Sequence, residues 1–270
     1  MEQLIRSLPD RTSYRIKGNG KPVIFLHGFG EDGNIWQNQV DELSKQFLCI
    51  VPDLPGIGKS ERAFPALADH SLEAIAEIIK KIADQEGLQQ FTLLGHSMGG
   101  YIALAFAEKY PELLNGFGLI HSSAFADNEE KINTRKRSIE FIRTNGAPKF
   151  LEQMIPGLYG EKFKADHYDQ VSEHLANALG FDAEVLIAFY EMMIKRPDRT
   201  KLLTEFQNPI LFIMGTEDKA VNLSDSLAQC HLPVESHIEI LESSGHMGMI
   251  EYSERTTIAM KKFLMHLNEN

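Results

Sequence analysis

Short strand-like runs separated by helix-like stretches constrain the fold of this chain more than any other feature. The runs are mostly apolar and lie at residues 23–26, 48–51, 91–94, 116–120, 210–214 and 237–241. Stretches with helical periodicity lie between the early runs, at residues 36–46, 72–85 and 100–110. Apolar strands alternating with helices predict a doubly wound α/β fold, in which a mostly parallel sheet is covered on both faces. A more polar segment around Tyr14 predicts an antiparallel hairpin at one edge of this sheet.

The middle of the chain has a different pattern. No convincing strand-like run occurs from Asp127 to Glu205, where charged, helix-like pieces dominate. We therefore expect a core formed by residues 1–126 and 206–270, with a helical cap of residues 127–205 inserted between two strands. Such a cap would cover the carboxyl edge of the sheet, where open α/β sheets bind ligands. Its aromatic and methionine side chains could face a pocket or form a small core of their own, and the sequence leaves both open: Tyr159, Phe163, Phe189, Tyr190, Met192 and Met193.

Composition and charge exclude several classes of partner and cofactor. The net charge of −11 disfavours nucleic acid and anionic membrane surfaces as partners. No run approaches the roughly 20 apolar residues of a membrane span, and the first ten residues carry no signal-like run, so a cytoplasmic location is expected. Cys49 and Cys230 match no metal or redox spacing, and no disulfide is expected. Residues 58–60 read Gly-Lys-Ser but lack the preceding glycine of a phosphate-binding loop, so no nucleotide cofactor is predicted. No pair of histidines has the H-E-x-x-H spacing of a metal site, so no metal is predicted either.

Residues 95–99, Gly-His-Ser-Met-Gly, carry the strongest signal for chemistry. They follow a strand-like run and precede a helical run, which indicates a sharp turn that exposes the Ser97 hydroxyl. A serine nucleophile needs a base within hydrogen-bond reach, and the base needs a third group to orient it. Loops after two later strands offer an acid at Asp218 and an imidazole at His246. Glu217 and Asp127 are alternative carboxylates for the third position.

In their order along the chain these motifs resemble those of the α/β-hydrolase-fold superfamily. Residues 27–30 resemble its oxyanion loop, and residues 53–60 resemble the turn that follows its next strand. The resemblance implies Ser97 as nucleophile, His246 as base and Asp218 as its orienting acid. It also implies that the backbone N–H groups of Phe29 and Met98 form the oxyanion hole.

A serine at the turn argues against the dehalogenases and epoxide hydrolases of this superfamily, which carry aspartate there. One menaquinone-pathway branch has an arginine where this chain has Tyr101, so that assignment is disfavoured. Several cap arginines keep an acidic substrate open, although most are expected on a solvated helix face: Arg135, Arg137, Arg143, Arg196 and Arg199. We expect a serine hydrolase that cleaves a small to medium carboxylic ester or lactone through an acyl-enzyme. Carbon–carbon bond hydrolysis, cofactor-free peroxidation and slow-turnover ligand sensing are the alternatives.

Overall fold

The computed structural model describes residues 3–67 and 69–269, so the predicted domain limits at residues 1 and 270 lie outside it. Within the described residues eight strands form one sheet. They are β1 (Leu4–Ser7), β2 (Ser13–Lys17), β3 (Pro22–Leu26), β4 (Leu48–Pro52), β5 (Phe91–His96), β6 (Leu114–Ile120), β7 (Ile210–Gly215) and β8 (Ser236–Leu241).

The sheet order is β1-β2-β4-β3-β5-β6-β7-β8. The six strands from β4 to β8 in that order are parallel, whereas β1 and β2 form an antiparallel hairpin against β4. Every residue of the central strands β5 and β7 is buried, because helices cover both faces of the sheet. The predicted doubly wound, mostly parallel sheet is confirmed.

Twelve α-helices surround this sheet in the described part of the chain. They are α1 (Gln37–Leu43), α2 (Leu72–Gln85), α3 (Met98–Lys109), α4 (Glu129–Asn145), α5 (Ala147–Met154), α6 (Glu161–Asp166), α7 (Tyr168–Ala178), α8 (Ala183–Lys195), α9 (Thr200–Glu205), α10 (Leu223–Gln229), α11 (Gly248–Glu251) and α12 (Ser253–Glu269).

The local sequence explains where helix α2 begins and which face it buries. Ser71 accepts a hydrogen bond from the backbone N–H of Ala74 at 3.0 Å, which caps one of the free donors of the first turn. Apolar residues then recur at helical spacing along one face, and they are buried: Leu72, Ile75, Ile78, Ile79 and Ile82.

The segment between β6 and β7 holds helices α4 to α9 and contains no strand. Ile142 of α4, Leu151 of α5 and Phe189 of α8 are almost completely buried, so these helices share an apolar core. Other faces of α4 and α8 line a cavity together with Ser97. This segment therefore forms one wall of a cavity whose floor is the carboxyl edge of the sheet.

None of the helices within residues 3–67 and 69–269 combines the length and the apolarity required to cross a membrane. Cys49 and Cys230 are both buried and carry free thiols.

Candidate active site

Ser97 occupies a sharp turn between β5 and α3. Its backbone is in the left-handed region, with φ of +50° and ψ of −114°, which a residue with a side chain adopts at a cost of about 1–3 kcal/mol. A Cβ at Gly95 would collide with the backbone of Gly99, and one at Gly99 would lie 2.5 Å from the carbonyl oxygen of Leu26. Steric crowding between strand and helix thus explains the two glycines that flank Ser97.

The backbone around Ser97 is fixed by hydrogen bonds and offers donors for an oxyanion. Ser97 N–H donates to the carbonyl of Ile120 at 3.0 Å, and Ser122 Oγ donates to the carbonyl of Ser97 at 2.7 Å. Met98 begins α3, so its N–H belongs to the first helical turn and has no acceptor within the helix. Phe29 follows β3 and lines the same cavity as Ser97. The two predicted oxyanion-hole residues therefore lie at neighbouring strand ends, β3 and β5.

His246 and Asp218 form a buried, hydrogen-bonded pair. His246 Nδ1 donates to Asp218 Oδ2 at 2.8 Å. The other oxygen, Oδ1, accepts the backbone N–H groups of Ala220 and Val221, each at 2.9 Å. These contacts fix the carboxylate and leave Nε2 of the neutral His246 ring without a proton, so Nε2 can accept one. Ser97 and His246 line the same cavity.

Contact between His246 and Asp218 shifts the pKa of both side chains. Burial alone lowers the pKa of His246, but the charge and hydrogen bond of Asp218 outweigh burial and raise that pKa above its ordinary 6.5. Burial also opposes ionisation of Asp218, yet the nearby histidines and their hydrogen bonds place the pKa of Asp218 far below its ordinary value. Asp218 is therefore a carboxylate at neutral pH.

The two alternative acids have other partners. Glu217 is exposed, and its Oε2 accepts the backbone N–H of Glu161 at 3.2 Å. Asp127 is buried between two arginines, with Arg135 Nε at 2.6 Å and an Arg196 guanidinium nitrogen at 2.9 Å. Of the three carboxylates weighed from the sequence, Asp218 is the one bonded to His246.

The cavity beside Ser97 has a volume of about 440 Å³. Its apolar wall comes from Phe29 and the segment between β6 and β7, where Phe29 stacks on Tyr190 with ring centroids 4.2 Å apart. Tyr190 and Met193 line the cavity, whereas Phe189 packs edge-on against Phe64 at 6.4 Å. Of the aromatic and methionine side chains whose placement the sequence left open, some therefore face the cavity and others pack in the core. The polar part of the wall includes Asn128, Thr134, Arg135, Ser138 and Asn222.

The arginines of the cap segment divide into three groups. Arg196 and Arg199 are buried and Arg135 is half-buried, so the expectation that most of these arginines are solvated is wrong. Arg199 pairs with Glu73 and Glu108. Arg135 borders the cavity. Arg137 and Arg143 are exposed as expected.

A buried, hydrogen-bonded pair of side chains, Glu31 and His96, connects three of the loops around Ser97. Glu31 Oε2 accepts the N–H of Gly28 at 2.8 Å and that of His96 Nδ1 at 2.9 Å. His96 Nε2 lies 2.9 Å from the carbonyl oxygen of His246. Both ring nitrogens of His96 therefore face hydrogen-bond acceptors. The pair therefore links the loop after β3, the turn at Ser97 and the histidine loop.

Sequence reasoning missed Glu31 and a second histidine, His121, whose Nδ1 lies 3.0 Å from Asp218 Oδ2. Position was the available signal, because Glu31 directly follows residues 27–30 and His121 directly follows β6. The ring of His96 packs 4.7 Å from that of His246.

Two clusters of side chains have the composition of metal sites. In the described part of the chain, the ligand atoms of His121, Asp218 and His246 lie within 4.8 Å of one another. The second cluster is half-exposed, and in it Glu235 Oε1 accepts His237 Nε2 at 2.9 Å and His266 Nε2 at 2.7 Å. In both clusters a carboxylate accepts two imidazole N–H groups, and these hydrogen bonds explain why the ligand atoms lie so close together.

Glu31→Gln is expected to lower the free energy of unfolding at pH 7 by about 1–3 kcal/mol, because the buried carboxylate that accepts from Gly28 and His96 is replaced by a neutral amide. Burial opposes ionisation of Glu31, but the charge of His96 lowers the pKa of this carboxyl from 4.5 to about 2. Because the pKa of Glu31 is lower in the folded protein than in the unfolded chain, its carboxylate stabilises the fold above pH 4.5, and this contribution is lost as the pH falls towards 2. The difference between the two proteins, measured by urea unfolding, should therefore shrink across that window.

Glu61→Gln is the matched control, since Glu61 is exposed and pairs only loosely with Arg62 at 3.7 Å. A change within about 0.5 kcal/mol is expected for it. An equally small change for Glu31→Gln would contradict the stabilising role assigned to the Glu31–His96 pair.

Comparisons with known proteins agree with this fold. A family model described as the alpha/beta hydrolase fold matches residues 21–252. A thermophilic esterase from Thermogutta terrifontis, solved with malate bound, superposes with a TM-score of 0.89 at 31% identity over 99% of each chain. The enol-lactonase from Burkholderia xenovorans LB400 superposes with a TM-score of 0.85 at 20% identity, over 97% of this chain and 100% of the lactonase. Lipase 3 from Moraxella sp. (strain TA144) is 23% identical over 248 residues, which cover 90% of this chain and 77% of the lipase.

The chain therefore belongs to the alpha/beta hydrolase family. Its esterase-like and lipase-like relatives, together with the fold, indicate a hydrolase.

Proposed function

We propose that this protein is a serine hydrolase that cleaves a small to medium carboxylic ester or lactone through an acyl-enzyme intermediate. One observation carries the proposal: Ser97 and the Asp218-bonded His246 border a single cavity at the carboxyl edge of the sheet. The esterase from Thermogutta terrifontis, at 31% identity over nearly the whole chain, supports the same reaction class.

In the acylation step, Ser97 Oγ attacks the carbonyl carbon of the substrate while His246 Nε2 takes the serine proton. Asp218 keeps the proton of His246 on Nδ1 and stabilises the imidazolium that forms. The backbone N–H groups of Phe29 and Met98 donate to the oxyanion of the tetrahedral intermediate, where each such donor contributes about 3 kcal/mol to lowering the barrier. His246 then returns the proton to the leaving alkoxide, and Ser97 remains acylated.

In the deacylation step, His246 removes a proton from water, which attacks the acyl carbon of the Ser97 ester. Collapse of the second tetrahedral intermediate releases the carboxylic acid, and His246 gives its proton to Ser97 Oγ, which restores the serine hydroxyl. A lactone follows the same two steps, except that its leaving alkoxide stays attached to the acyl group.

The walls of the cavity support the proposed size of the substrate. A volume of about 440 Å³ lies in the lower part of the usual range for small-molecule sites, about 300–1,000 Å³. We propose that residues 127–205 act as a cap over the core of residues 1–126 and 206–270 and select the substrate. The stacked Phe29 and Tyr190 offer an apolar surface to an acyl or alkyl group, and Arg135 lies on the polar side.

Activated esters test this proposal directly. We expect repeated turnover of p-nitrophenyl acetate and butyrate, and little of the palmitate, because a long chain exceeds the cavity. A fluorophosphonate should form one covalent adduct per chain, located at Ser97 by mass spectrometry of the peptides. Turnover restricted to a carbon–carbon diketone substrate, an adduct at another residue, or a single slow turnover would each overturn the proposal.

A further inference from the structure

His121 is a buried histidine that the proposed chemistry does not use, although it contacts Asp218, the proposed orienting acid. It directly follows β6, and its backbone N–H donates to the carbonyl of Ile213 at 2.7 Å. Its Nδ1 lies 3.0 Å from Asp218 Oδ2. The same oxygen accepts His246 Nδ1 at 2.8 Å, so one carboxylate oxygen serves two imidazoles.

Two unfavourable features coincide at His121. Its φ of +47° lies in the left-handed region, which is uncommon for residues other than glycine. Its Nε2 is buried and has no hydrogen-bond partner among the described residues, although an unsatisfied buried nitrogen costs about 1–3 kcal/mol. A Cβ at Gly248 would collide with this nitrogen, so the ring is closely confined. Strain of this kind beside catalytic groups indicates that a side chain acts there.

We propose that His121 is a positioning residue: it donates its Nδ1–H to Asp218 and, by sharing Oδ2, limits how strongly Asp218 binds the proton of His246. The inference rests on the proposed roles of Asp218 and His246. It assigns His121 no contact with the substrate.

The proposal requires a neutral His121 ring. Burial lowers the pKa of His121 to about 4, although the hydrogen bond and charge of Asp218 act in the opposite direction. A neutral ring that donates from Nδ1 has an unprotonated Nε2, which fits the absence of an acceptor for that nitrogen. The N–H group of His121 withdraws charge from Oδ2 without adding a cation beside His246.

Other titratable groups face His246 besides Asp218. Glu31, after β3, and Glu251 of α11 both act to raise its pKa. The ring of His96 lies 4.7 Å away and that of His121 5.8 Å away. His121 alone among these four also bonds to Asp218 Oδ2, the oxygen that accepts the hydrogen bond from His246 Nδ1, so its removal acts through that oxygen.

Two substitutions separate the hydrogen bond from the bulk of the ring. His121→Leu removes the donor, and the acidic limb of the kcat/KM profile should move upward by about 1 pH unit because Asp218 then binds the His246 proton more tightly. His121→Asn supplies an amide N–H and tolerates left-handed backbone, so it should return the limb towards its wild-type position. An unshifted His121→Leu profile, or an equal shift in both variants, would overturn the proposal.

A second measurement needs neither turnover nor a stable variant. In the wild-type protein labelled with ¹⁵N-histidine, NMR should show His121 as a neutral Nδ1–H tautomer between about pH 6 and 8. A cationic ring or an Nε2–H tautomer would overturn the inference. Because this spectrum does not depend on ester cleavage, its result separates failure of the His121 assignment from failure of the proposed function.

Discussion

Replacing Ser97 by alanine is expected to lower kcat for ester hydrolysis on the order of 10⁶-fold, while KM changes little. The substitution removes the attacking oxygen but leaves the cavity wall and the backbone donors of Phe29 and Met98 in place. Alanine keeps the Cβ that serine already carries, so it adds no new strain at φ of +50°. Steady-state hydrolysis of p-nitrophenyl butyrate, with correction for the spontaneous rate, measures the loss.

Ser243→Ala is a matched control for that substitution. Ser243 also has a left-handed backbone, with φ of +60°, and follows β8 rather than β5. Its hydroxyl has no role in the proposed reaction, so kcat should stay within about twofold of wild type. Comparable rates for wild type and Ser97→Ala would show that another group is the nucleophile.

The sheet was predictable because its physical cause lies in short stretches of sequence. Strands β3, β4, β5, β6 and β7 are buried on both faces, and such strands must consist of nearly continuous apolar residues. The turn at Ser97 was predictable for a steric reason, since Gly95 and Gly99 leave no space for a Cβ. The pairing of Asp218 with His246 was predicted from their places after β7 and β8, which bring both side chains to one edge of the sheet.

Other features depend on contacts between distant segments, which no local pattern encodes. Glu31 and His96 are 65 residues apart in the chain, and His121 and Asp218 are 97 residues apart. Helix α8 is almost wholly buried, so its apolar residues could not reveal that Tyr190 faces the cavity whereas Phe189 packs elsewhere. Burial of Arg196 depends on Asp127 and on the Tyr101 ring, which lies 3.9 Å below its guanidinium.

Asp218→Asn is expected to lower kcat by about 10⁴-fold, because it imposes the wrong tautomer on His246. All four partners of the Asp218 carboxylate are donors: two backbone N–H groups on Oδ1 and two imidazoles on Oδ2. An asparagine can offer an acceptor to only one of these two sides.

The backbone donors of Ala220 and Val221 cannot change, so the asparagine oxygen should face them and its NH₂ group should face the imidazoles. His246 then keeps its proton on Nε2 and cannot take the proton of Ser97. Glu217→Gln and Asp127→Asn are the controls. Glu217→Gln should leave kcat nearly unchanged, because Glu217 is exposed and its partner among the described residues is the backbone N–H of Glu161. A loss of the same size in Asp127→Asn, with Asp218→Asn close to wild type, would instead make Asp127 the acid that orients His246. Since Asp127 lies between Arg135 and Arg196, we expect Asp127→Asn to lower the thermal midpoint of unfolding and to change kcat little.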